Sequence, residues 1–124
     1  MKGKNRTDAT IRFSFAANRI HVSKAVLYAI GNPAYIQIMI ATDNTTLYIQ
    51  KCMERTRNRI AVPHRVYSDG VAVFGFQKIS FAEAIRKRLG WDAKGVYRIH
   101  GVSVADDIMA FQFSMAERID EGRV

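Results

Sequence analysis

The chain has 124 residues, 48% of them hydrophobic and 24% charged, which excludes a disordered tail and asks for one compact unit or two very small halves sharing a core. Nineteen Lys and Arg against eleven Asp and Glu give a net charge of +8 and a pI near 10.0, a balance that points to a polyanionic partner. No run approaches the roughly 20 apolar residues of a membrane span, and MKGKNRTDAT lacks the apolar centre of a secretory signal, so a cytoplasmic protein with no membrane partner is expected.

Met1 to Ala9, with Lys2, Lys4 and Arg6, reads as a polar, basic terminus. From Thr10 to Ala16, Ile11, Phe13 and Phe15 alternate with Arg12 and Ser14, the period of a half-buried strand. Ala17-Asn18 turns the chain into a second strand, Arg19 to Val22. Ser23 suits a helix N-cap, Val26, Leu27 and Ile30 share one helical face, and Gly31 followed by Pro33 stops the helix. Tyr35 to Ile40 and Thr46 to Gln50 then form a hairpin about Thr42-Asp43-Asn44-Thr45, whose side chains favour a turn.

Lys51 to Asp69 breaks this pattern and reads as a basic linker. Its only cysteine, Cys52, has no internal partner for a disulfide, which fits a reducing compartment. If the linker is extended, Arg55, Arg57 and Arg59 lie on one side and form a guanidinium row able to grip phosphates. Val71, Val73, Phe74 and Phe76 open a second set of elements, and Ser80-Phe81-Ala82-Glu83 fits a capping box that starts a helix near Ser80. Arg86, Lys87 and Arg88 suit the negative end of that helix, and Trp91 follows as a core plug. Val96 to His100 and Ile108 to Phe113 read as a second hairpin, turned by Ala105-Asp106-Asp107, and Met115 to Val124 as a mixed-charge tail with helical character.

The two sets match without a gap at a shift of 59 positions: Ile20 falls on Ile79, Val22 on Phe81, Ala25 on Ala84, Val26 on Ile85, Ile30 on Leu89 and Gly31 on Gly90. The expected fold is therefore α+β, two tandem β-β-α-β-β repeats forming a pseudo-symmetric small barrel or sheet. The repeats span 9–52 and 70–114, joined by the linker 53–69 and followed by the tail 115–124. Residues 1–60 hold ten Lys or Arg against three Asp or Glu, and residues 61–124 hold nine against eight, so the cationic excess sits in the leading half. Folding alone gives no reason for that imbalance.

The three histidines, His21, His64 and His100, occur singly, without the spacing of a zinc site, and there is no Gly-rich phosphate loop, paired-carboxylate site or nucleophile elbow. No catalytic residue, metal or cofactor is assigned, and a non-catalytic function is expected.

The stretch NRIHVSKAVLYAIGNPAYIQIMIATDNTTLYI resembles the swapped-hairpin DNA-binding module of the AbrB and SpoVT family, in which a Gly-Arg-Ile turn leads into Ile-Pro-Lys, a short helix ending in Leu-Gly, and a hairpin. Arg19 and Ile20 match Arg-Ile, Lys24 the lysine, and Ile30-Gly31 Leu-Gly, while Asn18 stands in place of the turn glycine and Ser23 in place of the proline. The tandem arrangement is similar to the MraZ family, which holds two such modules in one chain. This resemblance implies a regulator or accessory factor that binds duplex DNA. Its phosphate contacts are expected at Arg12, Arg19, Lys24, Lys51, Arg55, Arg57 and Arg59. The alternative is a protein-interaction module, antitoxin-like or an assembly partner, with no nucleic-acid role. Either can form a homo-oligomer.

Overall fold

The computed structural model describes residues 9–68, 73–77 and 79–120, and its fold is α+β. The basic terminus Met1 to Asp8 and the tail end Glu121 to Val124 lie outside the described residues. In chain order the elements are β1 (Thr10–Ser14), β2 (Arg19–Ser23), α1 (Lys24–Ala29), β3 (Tyr35–Ile40), β4 (Thr46–Lys51), β5 (Ile60–Ala61) and α2 (Arg65–Ser68). There follow β6 (Val73–Phe76), α3 (Ile79–Leu89), β7 (Val96–His100), β8 (Val102–Ala105), β9 (Ile108–Gln112) and β10 (Glu117–Arg118). They make two antiparallel five-stranded sheets, the first in the order β10-β7-β1-β2-β6 and the second β5-β3-β4-β9-β8.

Alternation builds the inner faces. Ile11, Phe13, Ile20, Val22 and Ile99 of the first sheet, and Ile36, Leu47, Ile49 and Phe111 of the second, join one buried cluster. A fully buried aliphatic or aromatic side chain of this kind contributes about 1.5–3 kcal/mol, so the shared core carries the fold. Trp91 plugs one end, stacked on Tyr97 at 4.4 Å and tilted against Phe13, Phe15 and Phe113.

The local turns follow their chemistry. The β1–β2 turn closes by Asn18 N–H donating to the Phe15 carbonyl at 3.2 Å, with Asn18 at φ 55, the left-handed conformation that asparagine tolerates and glycine prefers. In the β3–β4 hairpin the Asp43 carboxylate accepts from Thr45 N–H and Thr45 Oγ1 at 3.1 and 2.8 Å, and Asn44 takes φ 63. Both helices of the matched stretches end in the same glycine cap. Asn32 N–H reaches the Leu27 carbonyl and Gly31 N–H the Tyr28 carbonyl; Trp91 N–H reaches Arg86 and Gly90 N–H reaches Lys87. Gly31 and Gly90 sit at φ 96 and 70, where a Cβ is strained.

Several expectations are corrected. Val96–His100 is not a hairpin partner of β9: it pairs with β1 and β10, and the second hairpin is β8–β9. The chain passes between sheets at Gly101, where a Cβ would stand 2.6 Å from Met109 Sδ and 2.7 Å from Phe111 Cε2. Ser23 occupies the N-cap of α1, but its hydroxyl accepts from Thr10 N–H at 2.9 Å instead of capping the helix. Ser80 lies inside α3, and the Glu83 carboxylate is taken by Arg86 one turn on, at 2.9 Å, so the capping box does not form. The basic linker folds into β5 and α2. The described part of the tail leaves a 3-10 turn at Phe113–Met115 and becomes a strand, with Glu117 and Arg118 opposite Arg98 and Tyr97, because β7 offers an open edge and Ile119 N–H reaches the Val96 carbonyl at 2.9 Å. No helix of the described residues is long and apolar enough to cross a membrane.

Candidate nucleic-acid interface

The alternation that buries Ile11, Phe13, Ile20 and Val22 turns Thr10, Arg12 and Ser14 outward from β1, and Arg19, His21 and Ser23 outward from β2. β7 adds Arg98 and His100 to the same face. Register aligns Glu117, Arg98, Arg12, His21 and Gly75 in one row across five strands. Direct cross-strand neighbours have Cβ atoms about 5 Å apart, so two guanidinium groups and an imidazole stand side by side in the middle of the sheet. The row has one carboxylate, Glu117, at its margin, where it accepts from Arg98 Nη2 at 3.0 Å. Among the described residues neither Arg12 nor Arg19 has a carboxylate partner.

Three nitrogens of the row, Arg12 Nε, Arg98 Nε and His21 Nδ1, are buried without a hydrogen-bond partner. Burial, and then the positive charges of Arg12 and Arg19, hold the His21 imidazole below its ordinary range, so the ring is neutral at pH 7. Gly75 leaves room beside it: a Cβ there would stand 2.8 Å from Arg19 Nη2 and 2.9 Å from His21 Cδ2, so both side chains lie over the bare β6 backbone.

The structure brings together two of the seven residues expected from sequence, Arg12 and Arg19. Lys24 begins α1, five residues beyond Arg19, with its ammonium 5.5 Å from the Tyr28 ring centroid. Lys51 ends β4 in the second sheet, its Nζ packed toward Gly31. Arg55, Arg57 and Arg59 are exposed but make no extended row. Thr56 N–H bonds back to Met53 and Arg59 N–H to Thr56, Thr56 Oγ1 accepts from Met53 N–H at 3.1 Å, and Asn58 takes φ 64, so the segment is two successive turns. Arg59 ends over the Tyr35 ring at 5.7 Å, on the second sheet.

Sequence reasoning missed Arg98, His100 and Gly75 as members of the face. Alternation within Val96–His100 marks Arg98 and His100 as outward residues. Their placement beside Arg12 needs the β1–β7 pairing, which no local signal announces. His64 lies apart, in the turn before α2. No family model, curated protein or solved structure matches this chain.

Proposed function

We propose that the chain binds duplex nucleic acid, DNA in the first place, through the outer face of the first sheet, as a non-catalytic regulator or accessory factor of the cytoplasm. The Arg98–Arg12–His21 row carries this reading. Like charges placed directly opposite each other destabilise the free protein, and a phosphate backbone laid over them relieves that repulsion. The outward residues of β1, β2 and β7 include no Phe, Tyr or Trp. The stacking platform that single strands use is therefore missing from these strands, and phosphate contact supplies the affinity.

The resemblance at Arg19 and Lys24 supports the same partner. The proposed tandem ancestry is supported by the identical glycine caps of α1 and α3. It is an ancestry and not a present symmetry: α3 covers Ile79 to Phe81, the counterparts of β2, and β3 and its counterpart β7 lie in different sheets.

The test is fluorescence anisotropy with a labelled duplex of about 24 base pairs over a salt series, where each phosphate contact adds roughly 0.9 to the slope of log affinity against log salt. Replacing Arg12 and Arg19 with Ala lowers that slope by about two contacts. Replacing the exposed Lys87 and Arg88 of α3 leaves it nearly unchanged. Equal losses in both variants, or no binding at low salt, would sink the proposal.

The rival reading, a protein-interaction surface, has one observation in its favour. Edge strand β8 is uncharged, and Val102 and Val104 are 64% and 54% exposed, so a second copy could pair there. A solution mass of two chains that reverts to one on Val104→Lys supports self-association. A single-chain mass at all concentrations removes it.

A further inference from the structure

Over Gly75 two side chains meet. Arg19 Nη2 and His21 Nε2 lie 2.8 and 3.2 Å from the point where a Cβ would stand, and Arg12 flanks His21 from the neighbouring strand. A guanidinium thus stands on each side of an imidazole, above bare backbone. One tetrahedral anion fits this chemistry, because its oxygens can accept from two guanidinium groups and a ring N–H together. We propose that Arg12, Arg19 and His21 form a phosphate seat whose occupation draws one proton onto His21, coupling phosphate binding to pH. The inference rests on the nucleic-acid reading of this face and names its regulation.

The groups around His21 fix the sign. Arg12 faces it from β1, Arg19 shares its own strand, and β6 offers Gly75 at this row. Beyond Arg12 stand Arg98 from β7 and Glu117 from β10, which pair with each other, and His100 lies diagonally beyond Thr10. Burial, and then the two nearest cations with no carboxylate beside them among the described residues, hold the free ring neutral. A phosphate between the cations reverses the local field and favours the imidazolium. The complex then binds more protons than the free protein. Affinity rises as pH falls from neutral toward the free-state value of the ring, and levels off where both states are charged.

Anisotropy with the full chain and a random-sequence duplex, at fixed ionic strength between about pH 5 and pH 8, measures the effect. A one-unit rise of the His21 value on binding gives about tenfold tighter binding at the acid end. His21→Gln removes most of that dependence, and His64→Gln, outside the face, keeps it. Calorimetry of the unaltered protein in two buffers of different ionisation enthalpy counts the protons directly and expects a fractional uptake, at most about half a proton for that one-unit rise. A pH dependence that survives in His21→Gln, or zero uptake at pH 7, overturns the seat while leaving duplex binding intact. In a separate titration with inorganic phosphate, the His21 ring resonances shift to a higher titration midpoint. That shift without any duplex binding upholds the seat and overturns the nucleic-acid reading.

Discussion

Arg12→Thr separates a folding role from a binding role. In the free protein Arg12 faces Arg98 on one side and His21 on the other, and its Nε is buried without a partner. Like charges directly opposite across a sheet destabilise by about 0.2–1 kcal/mol, and an unpartnered buried N–H by about 1–3 kcal/mol. The side chain as a whole is only half-buried, so the lower end of the second range applies, and the lost packing of the arginine stem offsets part of the gain. The balance is a stabilisation of about 1 kcal/mol for threonine, whose branched side chain suits a strand.

In a chain of this length 1 kcal/mol corresponds to roughly 4 °C in Tm. Circular dichroism melts should therefore rise by about that amount. Duplex affinity on the same samples should fall about tenfold, the loss of one charge-assisted hydrogen bond. At about 1 M salt, where the screening length is only ~3 Å, the gain in Tm shrinks. A lower Tm with unchanged affinity would show that Arg12 holds the sheet together and that the unpartnered row is no sign of a ligand.

Three further outcomes are expected. Gly101→Ala drives a methyl into Met109 and Phe111, both buried, and should cost about 1–3 kcal/mol, a Tm loss of roughly 4–12 °C; an unchanged melt would disprove the tight crossing between sheets. Tyr67→Phe loses the 2.6 Å hydrogen bond to the Pro33 carbonyl, about 1 kcal/mol by urea unfolding. Burial, and then Tyr28, push that hydroxyl up from 10.0 to about 12, so its stabilisation is full below pH 10 and is lost toward pH 12, a decline absent in the Phe variant. Replacing Arg55, Arg57 and Arg59 together by Ala should weaken duplex binding less than replacing Arg12 and Arg19, because the loop arginines belong to the margin of the other sheet; the reverse order in anisotropy would move the interface there.

What was legible in the sequence is what is local. Alternation marked β1 and β2, Asp43 and Asn44 marked the first hairpin, and the two glycines marked the helix ends, since each depends on residues within a few positions. Competition defeated the other local signals. Ser23 is a sound cap by type, but the Thr10 N–H across the sheet takes its hydroxyl, and Glu83 finds Arg86 before it finds a backbone amide. The site was half legible for the same reason. Arg12 and Arg19 sit in strands that alternation reveals, whereas Arg98 joins them through a pairing between residues 11 and 99. The count of charges by halves was therefore a poor guide to the face, which draws Arg12, Arg19 and His21 from one half and Arg98 and His100 from the other.

The described acids of the C-terminal part that form ion pairs with Arg98 and Arg118 gather at one margin of the first sheet. Glu117 pairs with Arg98 at 3.0 Å, and Arg118 lies between Asp92 and Asp120 at 3.1 and 2.9 Å, so the β10 margin is neutralised and the centre is not. Glu117→Gln would release Arg98 and lengthen the cationic row by one member. An exposed pair of this kind is worth at most about 1 kcal/mol, so Tm should move by only a few degrees. Duplex affinity should rise several-fold at low salt, with the salt slope steeper by about one contact. Asp120→Asn is the contrasting change. Its carboxylate accepts from Val96 N–H, which ties the segment after β10 to β7, and from Arg118 Nε within that segment, so Tm falls while the slope stays. If Glu117→Gln leaves the slope unchanged, Arg98 lies outside the phosphate track, and the interface narrows to the two strands that carry Arg12, Arg19 and His21.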